Sequence, residues 1–269
     1  MLNSKPLKNL VFIDIESVPQ HKSFYNMSPT LQELFLKRFK KEAEDMIGLQ
    51  MDDWDIEALN TEEWKPKLEK FYNNRAPISS EFLQICCISI GWIDSKEPLL
   101  DGAIPADLEL NFKTKSFFGS DERKILQDFY AVMKSVLDKV VNPSHHLVAY
   151  SGLMFDFPVL MKRFLINRLQ LPAMLDTDGK KEWNLPYMID PKNSWKGTSF
   201  DGSISLALLC EVLGVPSPKQ DIDGSQVRNV YYENNDIERI ARYCEQDILR
   251  LCEVYLRMKN LPNKLNLIS

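Results

Sequence analysis

Little in this chain of 269 residues points toward redox, zinc or secretory chemistry. Its five cysteines (Cys86, Cys87, Cys210, Cys244 and Cys252) are odd in number, form no Cys-x-x-Cys pair and sit inside apolar runs. They read as reduced core thiols, which excludes a disulfide scaffold. With only three histidines, His21, His145 and His146, a zinc site is not expected. No apolar run reaches the ~20 residues of a membrane-spanning helix. The first residues, MLNSKPLKNLVFIDIES, lack the apolar segment and small-residue cleavage site of a signal peptide, so the expected address is cytoplasmic. A basic surplus is also missing: 33 Lys and Arg face 38 Asp and Glu, for a net charge of -5. Non-specific coating of nucleic acid is thereby excluded, and any such contact needs a local patch or bound cations. No internal repeat or low-complexity stretch is present. What remains is 44% hydrophobic and 26% charged, the balance of an ordinary globular chain long enough for a sizeable core.

The run Leu10–Ile15, broken only by Asp14, predicts a strand buried on both faces. Residues 20–80 then turn rich in Lys, Glu, Trp and Phe. Ser28-Pro29 marks a helix start, Leu31, Leu34, Phe35 and Phe39 follow at helical spacing, and a further helix runs through Trp64, Leu68 and Phe71. This segment reads as a helical insertion in a single domain of 1–269, its apolar content being too small for its own core. Further strands are expected at Leu83–Trp92, Leu108–Phe118, Leu147–Tyr150 and just before Asp190. Helices are expected after Ser120 as an N-cap, with Asp121 and Glu122 in the first turn, from Phe155, from Ser203 to Leu213 and from Asp236 to Met258. The early strands can pair antiparallel and the later alternation suggests a parallel part, giving an α/β mixed sheet flanked by helices. Lys37, Lys40 and Lys41, and likewise Lys162, Arg163 and Arg168, read as solvated faces, and His145 and His146 as loop residues.

Asp14 and Glu16 lie two apart in the first strand, so alternation directs both to one face. Carboxylates inside an apolar strand need a positive partner, which a cation or a salt bridge at the strand end would each supply. Asp156 in SGLMFDFP stands at a strand-to-helix corner, as a site residue or a helix N-cap. Asp247 falls at the margin of the apolar stripe of the last helix, with Tyr243 one turn earlier on the same face. That pair suits a site or a hydrogen bond that locks the helix. Four carboxylates crowd together only with divalent cations, and oxygen-only ligands suit Mg²⁺ or Mn²⁺. Two such ions, ~3.5–4 Å apart, can hold a phosphodiester between them.

DIES at Asp14–Ser17, SGLMFD at Ser151–Asp156 and YCEQD at Tyr243–Asp247 resemble, in order and wide spacing, the three exonuclease motifs of the DnaQ-like DEDD superfamily. The Tyr-x-x-x-Asp form resembles its tyrosine branch. The segment DIDGSQVRNVYY is similar to predicted 3′–5′ exonucleases that resemble the proofreading domain of family B DNA polymerases. The resemblance covers most of the chain and is weakest over 20–80. It implies a ribonuclease-H-like fold and two-metal hydrolysis from the 3′ end of nucleic acid, DNA or RNA, with single-stranded DNA the expected substrate. It further implies that Asp14, Glu16, Asp156 and Asp247 bind two Mg²⁺ or Mn²⁺ ions, Asp14 bridging, and that Tyr243 orients the attacking water. Ser17, Ser151 and Phe155 are the implied substrate contacts. Ser151 stands where the family often has Asn, and its shorter side chain weakens that contact. The histidine branch carries His where this chain has Arg242, so a histidine base is excluded. Few residues follow the last helix, so any proofreading with a polymerase or repair protein would act in trans. Two rivals stand beside this reading: a phosphodiesterase of small nucleotides, and a non-catalytic binding module, against which four intact acids argue.

Overall fold

The computed structural model describes residues 5–49, 56, 58–95, 109–141, 143–199, 204–216, 221–262 and 264–268. In chain order the elements begin with β1 (Leu10–Pro19), α1 (Pro29–Arg38), α2 (Lys40–Ile47), α3 (Trp64–Arg75), β2 (Leu83–Ile93) and β3 (Leu110–Phe118). There follow α4 (Glu122–Leu137), β4 (His146–Val148), α5 (Asp156–Ile166), β5 (Met188–Ile189) and α6 (Pro191–Lys196). The chain ends with α7 (Leu206–Leu213), α8 (Val227–Tyr232), α9 (Ile237–Met258) and β6 (Leu265–Leu267). Two compact units result: Met1–Glu16 with Ile85–Asp223 and Asp236–Ser269, and Ser17–Gln84 with Gly224–Asn235. The expected starts of a strand at Leu108 and a helix at Ser203 lie outside the described residues.

The strands form one sheet in the order β5-β4-β1-β2-β3-β6. β1 runs parallel to β4, with Leu10 opposite His146 and Phe12 opposite Val148, and β4 runs parallel to β5. β2 and β3 pair antiparallel from Cys87–Phe118 to Ile93–Phe112, and β6 adds a parallel edge to β3. The mixed sheet flanked by helices is therefore present. β6 escaped prediction because three residues are too few to display alternation. His146 is no loop residue: it opens β4 and is buried, and desolvation pushes its imidazole down to about 4, with Lys5 nearby adding to the effect.

In the first unit, α9 covers one face of the sheet. Asp236 caps it by accepting the Arg239 N–H at 3.1 Å. Its Ile248, Leu251 and Tyr255 pack with Leu10 and Phe12 of β1 and Phe112 of β3. The Phe12 ring meets those of Phe112 and Tyr255 edge-on at 6.0 and 5.9 Å. All five cysteines are buried free thiols, as expected from their apolar surroundings. The helix after Ser120 is capped one residue later than expected, by Asp121, whose carboxylate accepts the Lys124 N–H at 3.1 Å.

Arg163 is not on a solvated face. It is 2% exposed and forks onto Glu122, itself 7% exposed, through Nε–Oε1 at 2.8 Å and Nη2–Oε2 at 2.5 Å. Asn167 Nδ2 and the Ile85 N–H also donate to Glu122, at 2.8 and 2.7 Å. Bidentate geometry with every carboxylate oxygen satisfied is what allows such a pair to remain buried.

The second unit has a core of its own, larger than its apolar content led us to expect. Phe24, Phe71, Tyr72 and Phe82 each meet the fully buried Phe35 edge-on, with centroids 6.0, 5.8, 5.3 and 5.0 Å away. Large aromatic side chains let few residues enclose much area. The Ser28 hydroxyl caps α1 as expected, but the buried residues of α1 are Gln32, Phe35 and Leu36, while Leu31 and Leu34 face solvent. The helix breaks at Phe39, so Lys37 and Lys40 belong to different helices, each paired locally, to Glu33 and Glu44.

Candidate active site

The face of β1 that begins with Leu10 and Phe12 in the core continues, by strand alternation, to Asp14 and Glu16. The same helix answers both halves. Tyr255 of α9 packs on Phe12, whereas Cys244 of α9 donates its thiol to Asp14 Oδ2 at 3.2 Å. Ser116 Oγ, 2.8 Å from Ser89 Oγ, donates to Glu245 Oε1 at 2.6 Å and ties this end of α9 to β2 and β3.

The parallel pairing of β1 and β4 brings the two carboxyl ends side by side, the usual position for a site in such a sheet. The chain leaving β4 reverses through Ser151, which adopts φ +59°, a left-handed conformation that costs a non-glycine residue about 1–2 kcal/mol. Asp190 holds this turn. Its buried carboxylate accepts the N–H groups of Ser151, Leu153 and Lys192 at 3.1, 3.4 and 3.0 Å. At Gly152 a Cβ would collide with that of Ala149, so the turn also requires a glycine. Phe155 then precedes α5, and Asp156 is its first residue. Asp156 is thus not the N-cap: its carboxylate accepts the N–H of Ile15, between the two acids of β1.

Four carboxylates come together. Burial lifts Asp14 well above the usual range, and repulsion from Asp156 and Asp247 adds to it, partly offset by the Cys244 hydrogen bond. Glu16 is raised by burial, then by Asp14 and Asp247. Asp156, 4% exposed, is pushed up to about 7, first by burial. Tyr243 donates to Asp247, and burial together with Asp247 and Glu16 raises its phenol, so it stays protonated. Of the predicted substrate contacts, Phe155 is half-buried beside Asp156, and the Ser151 hydroxyl accepts from Lys192 Nζ at 2.9 Å. Ser17 belongs to the second unit, where its hydroxyl donates to the Pro77 carbonyl at 2.6 Å.

Cys244, Asp190 and Lys192 went unnoticed in the sequence. Cys244 reads as one more apolar position of α9, and only the close approach of β1 gives its thiol a partner. Asp190 before Pro191 carries an N-cap signature, but its bonds to Ser151 and Leu153 span some forty residues of chain.

Ligand atoms of Asp14, Glu16 and Cys244 lie within 4.8 Å of one another. The donor set fits a hard divalent cation: carboxylate oxygens with elevated pKa are charges in want of a counter-ion. Burial raises the Cys244 thiol well above its usual range, which keeps it a hydrogen-bond donor to Asp14 and not a thiolate ligand.

These shifts set a pH dependence of stability. Without metal, Asp156 ionises near the ordinary ~3.9 in the unfolded chain but only near about 7 in the folded one. Its contribution is therefore intact below pH ~4 and is lost as pH rises toward 7. In EDTA the protein should melt several degrees lower at pH 8 than at pH 5.5, and Mg²⁺ should remove the difference by binding the ionised form. An Asp156→Asn variant should show a shallower decline. A metal-free melting temperature that rises with pH across this window would contradict the burial that raises Asp156.

Residues 106–268, more than half of the chain, match the family described as predicted 3′–5′ exonucleases related to the exonuclease domain of PolB. The match includes Asp156, Tyr243 and Asp247 and begins after Asp14 and Glu16. Among solved structures, the family B DNA polymerase from the hyperthermophilic archaeon Pyrobaculum calidifontis superposes with a TM-score of 0.50 at 14% identity. That likeness covers 93% of this chain, which spans about a quarter (24%) of the polymerase, and it concerns the fold alone. No curated protein matches the sequence. Among the described residues, no helix is long and apolar enough to cross a membrane. The mixed sheet is the ribonuclease-H-like one of such exonucleases, and the chain belongs to the family of predicted 3′–5′ exonucleases related to the exonuclease domain of PolB.

Proposed function

We propose that the chain is a metal-dependent 3′–5′ exonuclease that removes nucleotides one at a time from a single-stranded DNA end. The observation that carries this reading is the convergence of Asp14, Glu16, Asp156 and Asp247, in which Asp156 and Asp247 raise Asp14 and Asp14 and Asp247 raise Glu16, with a protonated Tyr243 on Asp247. In this reading Asp14, Glu16, Asp156 and Asp247 would hold the Mg²⁺ or Mn²⁺ ions. Bound there, the ions would supply an activated water and neutralise charge on the leaving 3′ oxygen. Cys244 keeps the Asp14 carboxylate oriented. Tyr243, fixed by Asp247, presents its hydroxyl to the attacking water and lines it up with the phosphorus. Ser151 with Lys192, and Phe155, contact the strand. The residues around 20–80 act as an insertion in one catalytic domain, and a polymerase or repair protein is the proposed partner.

A 5′-labelled single strand tests the reading. With Mg²⁺ or Mn²⁺ the wild type should give a ladder shortening by single nucleotides. Tyr243→Phe, which keeps the ring and removes the hydroxyl, should slow it roughly 10- to 1000-fold with little change in metal affinity. Early mid-chain fragments or cleavage of circular strands would mean an endonuclease. Hydrolysis of dinucleotides alone would mean a small-nucleotide phosphodiesterase. Full activity of Tyr243→Phe would leave the tyrosine only its helix-locking bond.

A further inference from the structure

The first compact unit holds, along its edge strand β5, a cavity of about 520 Å³, within the size range of small-ligand sites. Its apolar lining includes Leu185, Met188, Ile189 and Tyr255. Ile189 and Tyr255 pack in the same cluster as Leu10 and Phe12, on the sheet face that continues to Asp14 and Glu16. Leu153 and Asp190 line the cavity as well, and Asp190 accepts the N–H groups of Ser151 and Leu153. One wall is therefore the turn that leads to Asp156, yet the carboxylate site makes no use of this space.

Trp183 also lines the cavity and is 74% exposed. It stands in the turn Glu182–Asn184 ahead of β5. The turn is tied down, because Asn193 Nδ2 of α6 donates to Glu182 Oε1 at 3.0 Å. A solvated indole on an anchored backbone, bordering a cavity, is a stacking surface for a flat ligand. Positive charge lies beside it: Lys181 Nζ is 4.9 Å from the ring centroid, and Lys5 lines the cavity. The Asp190 carboxylate offers a ligand little, since its oxygens already accept the N–H groups of Ser151, Lys192 and Leu153. Glu182 is left as the carboxylate able to accept a further proton donor.

Together these groups narrow the ligand. An inorganic anion would answer the ammonium groups but leave the indole in water, and an apolar molecule would do the reverse. A nucleotide within a strand supplies a flat base for Trp183, an amino or imino N–H for Glu182 and phosphate oxygens for Lys5. We propose that this cavity holds one unpaired base of the substrate strand, stacked on Trp183, with the adjoining phosphate on Lys5. The proposal rests on the exonuclease reading, which supplies the strand.

Equilibrium binding of fluorescein-labelled single-stranded oligonucleotides, in Ca²⁺ and across a salt series, tests it. Trp183→Ala should weaken binding about 10-fold, the loss of one stacked base, and leave the slope of log K against log salt unchanged. Trp183→Phe, which keeps a ring, should stay within about 3-fold of the wild type. Lys5→Gln should lower the slope by about 0.7, the loss of one phosphate contact. In a series of strands that each carry one abasic position, one position should cost the wild type about 10-fold and cost Trp183→Ala nothing further, because both changes remove the same stack. Trp183 is largely solvated, so the fold does not depend on it. Wild-type affinity in Trp183→Ala, or abasic losses that add to that substitution at every position, would overturn the proposal and leave the exonuclease reading to the wild-type ladder. So would Trp183-dependent binding of dTMP tighter than that of the oligonucleotide, which would make this a free-nucleotide site. A wild type that neither binds the oligonucleotide nor yields a ladder would overturn both readings.

Discussion

Replacing Asp14 with alanine should abolish hydrolysis, a loss on the order of 10⁴-fold or more if the carboxylate supplies several kcal/mol of charge stabilisation through bound metal. The expectation follows from its position. Asp14 accepts the Cys244 thiol, and its pKa responds to both Asp156 and Asp247. Removing it should do the opposite to the metal-free fold. One fewer buried acid relieves repulsion, so in EDTA at pH 8 Asp14→Ala should melt above the wild type, and its response to Mg²⁺ should be smaller. The combination separates loss of chemistry from loss of structure. EDTA should silence the wild type, and Mg²⁺ or Mn²⁺ should restore it. Near-normal turnover of the variant would remove Asp14 from the site, and a melting temperature below the wild type would mean that its carboxylate is needed for folding.

Breaking the Glu122–Arg163 pair should destabilise the protein by about 3–5 kcal/mol, because Arg163→Met strands a buried carboxylate that still accepts from Ile85 and Asn167. Urea unfolding measures it. The double variant Glu122→Leu/Arg163→Met should recover most of the loss, since the pair's worth lies largely in not leaving either charge alone. A single variant within about 0.5 kcal/mol of wild type, the range of ordinary surface changes, would place Arg163 on the solvated face that its neighbours Lys162 and Arg168 suggest.

That pair shows where sequence reading stops. Arg163 lies among Lys162, Phe164 and Leu165, and nothing in this run distinguishes a buried arginine from an exposed one. Its partner is forty-one positions earlier, and only the packing of α5 on α4 removes both from water. The same holds for Asp190, Cys244 and the split between α1 and α2 at Phe39.

The elements with long, regular patterns were legible in the sequence alone: β1, β2, α4 and α9, together with the start of α1 at Ser28 and the order of sheet and helices. The sequence also marked the acids Asp14, Glu16, Asp156 and Asp247 and the tyrosine beside the last, because a carboxylate inside an apolar pattern is a local anomaly visible without a partner. Only the tertiary structure decided which groups those acids meet. The parallel register of β1 on β4, the seating of α9 on Leu10 and Phe12, and the hold of Asp190 on the Ser151 turn join residues far apart in the chain. Hydrogen bonds and desolvation act over a few ångströms of space, whatever the separation along the chain, so the charge state of the site exists only once the sheet has formed.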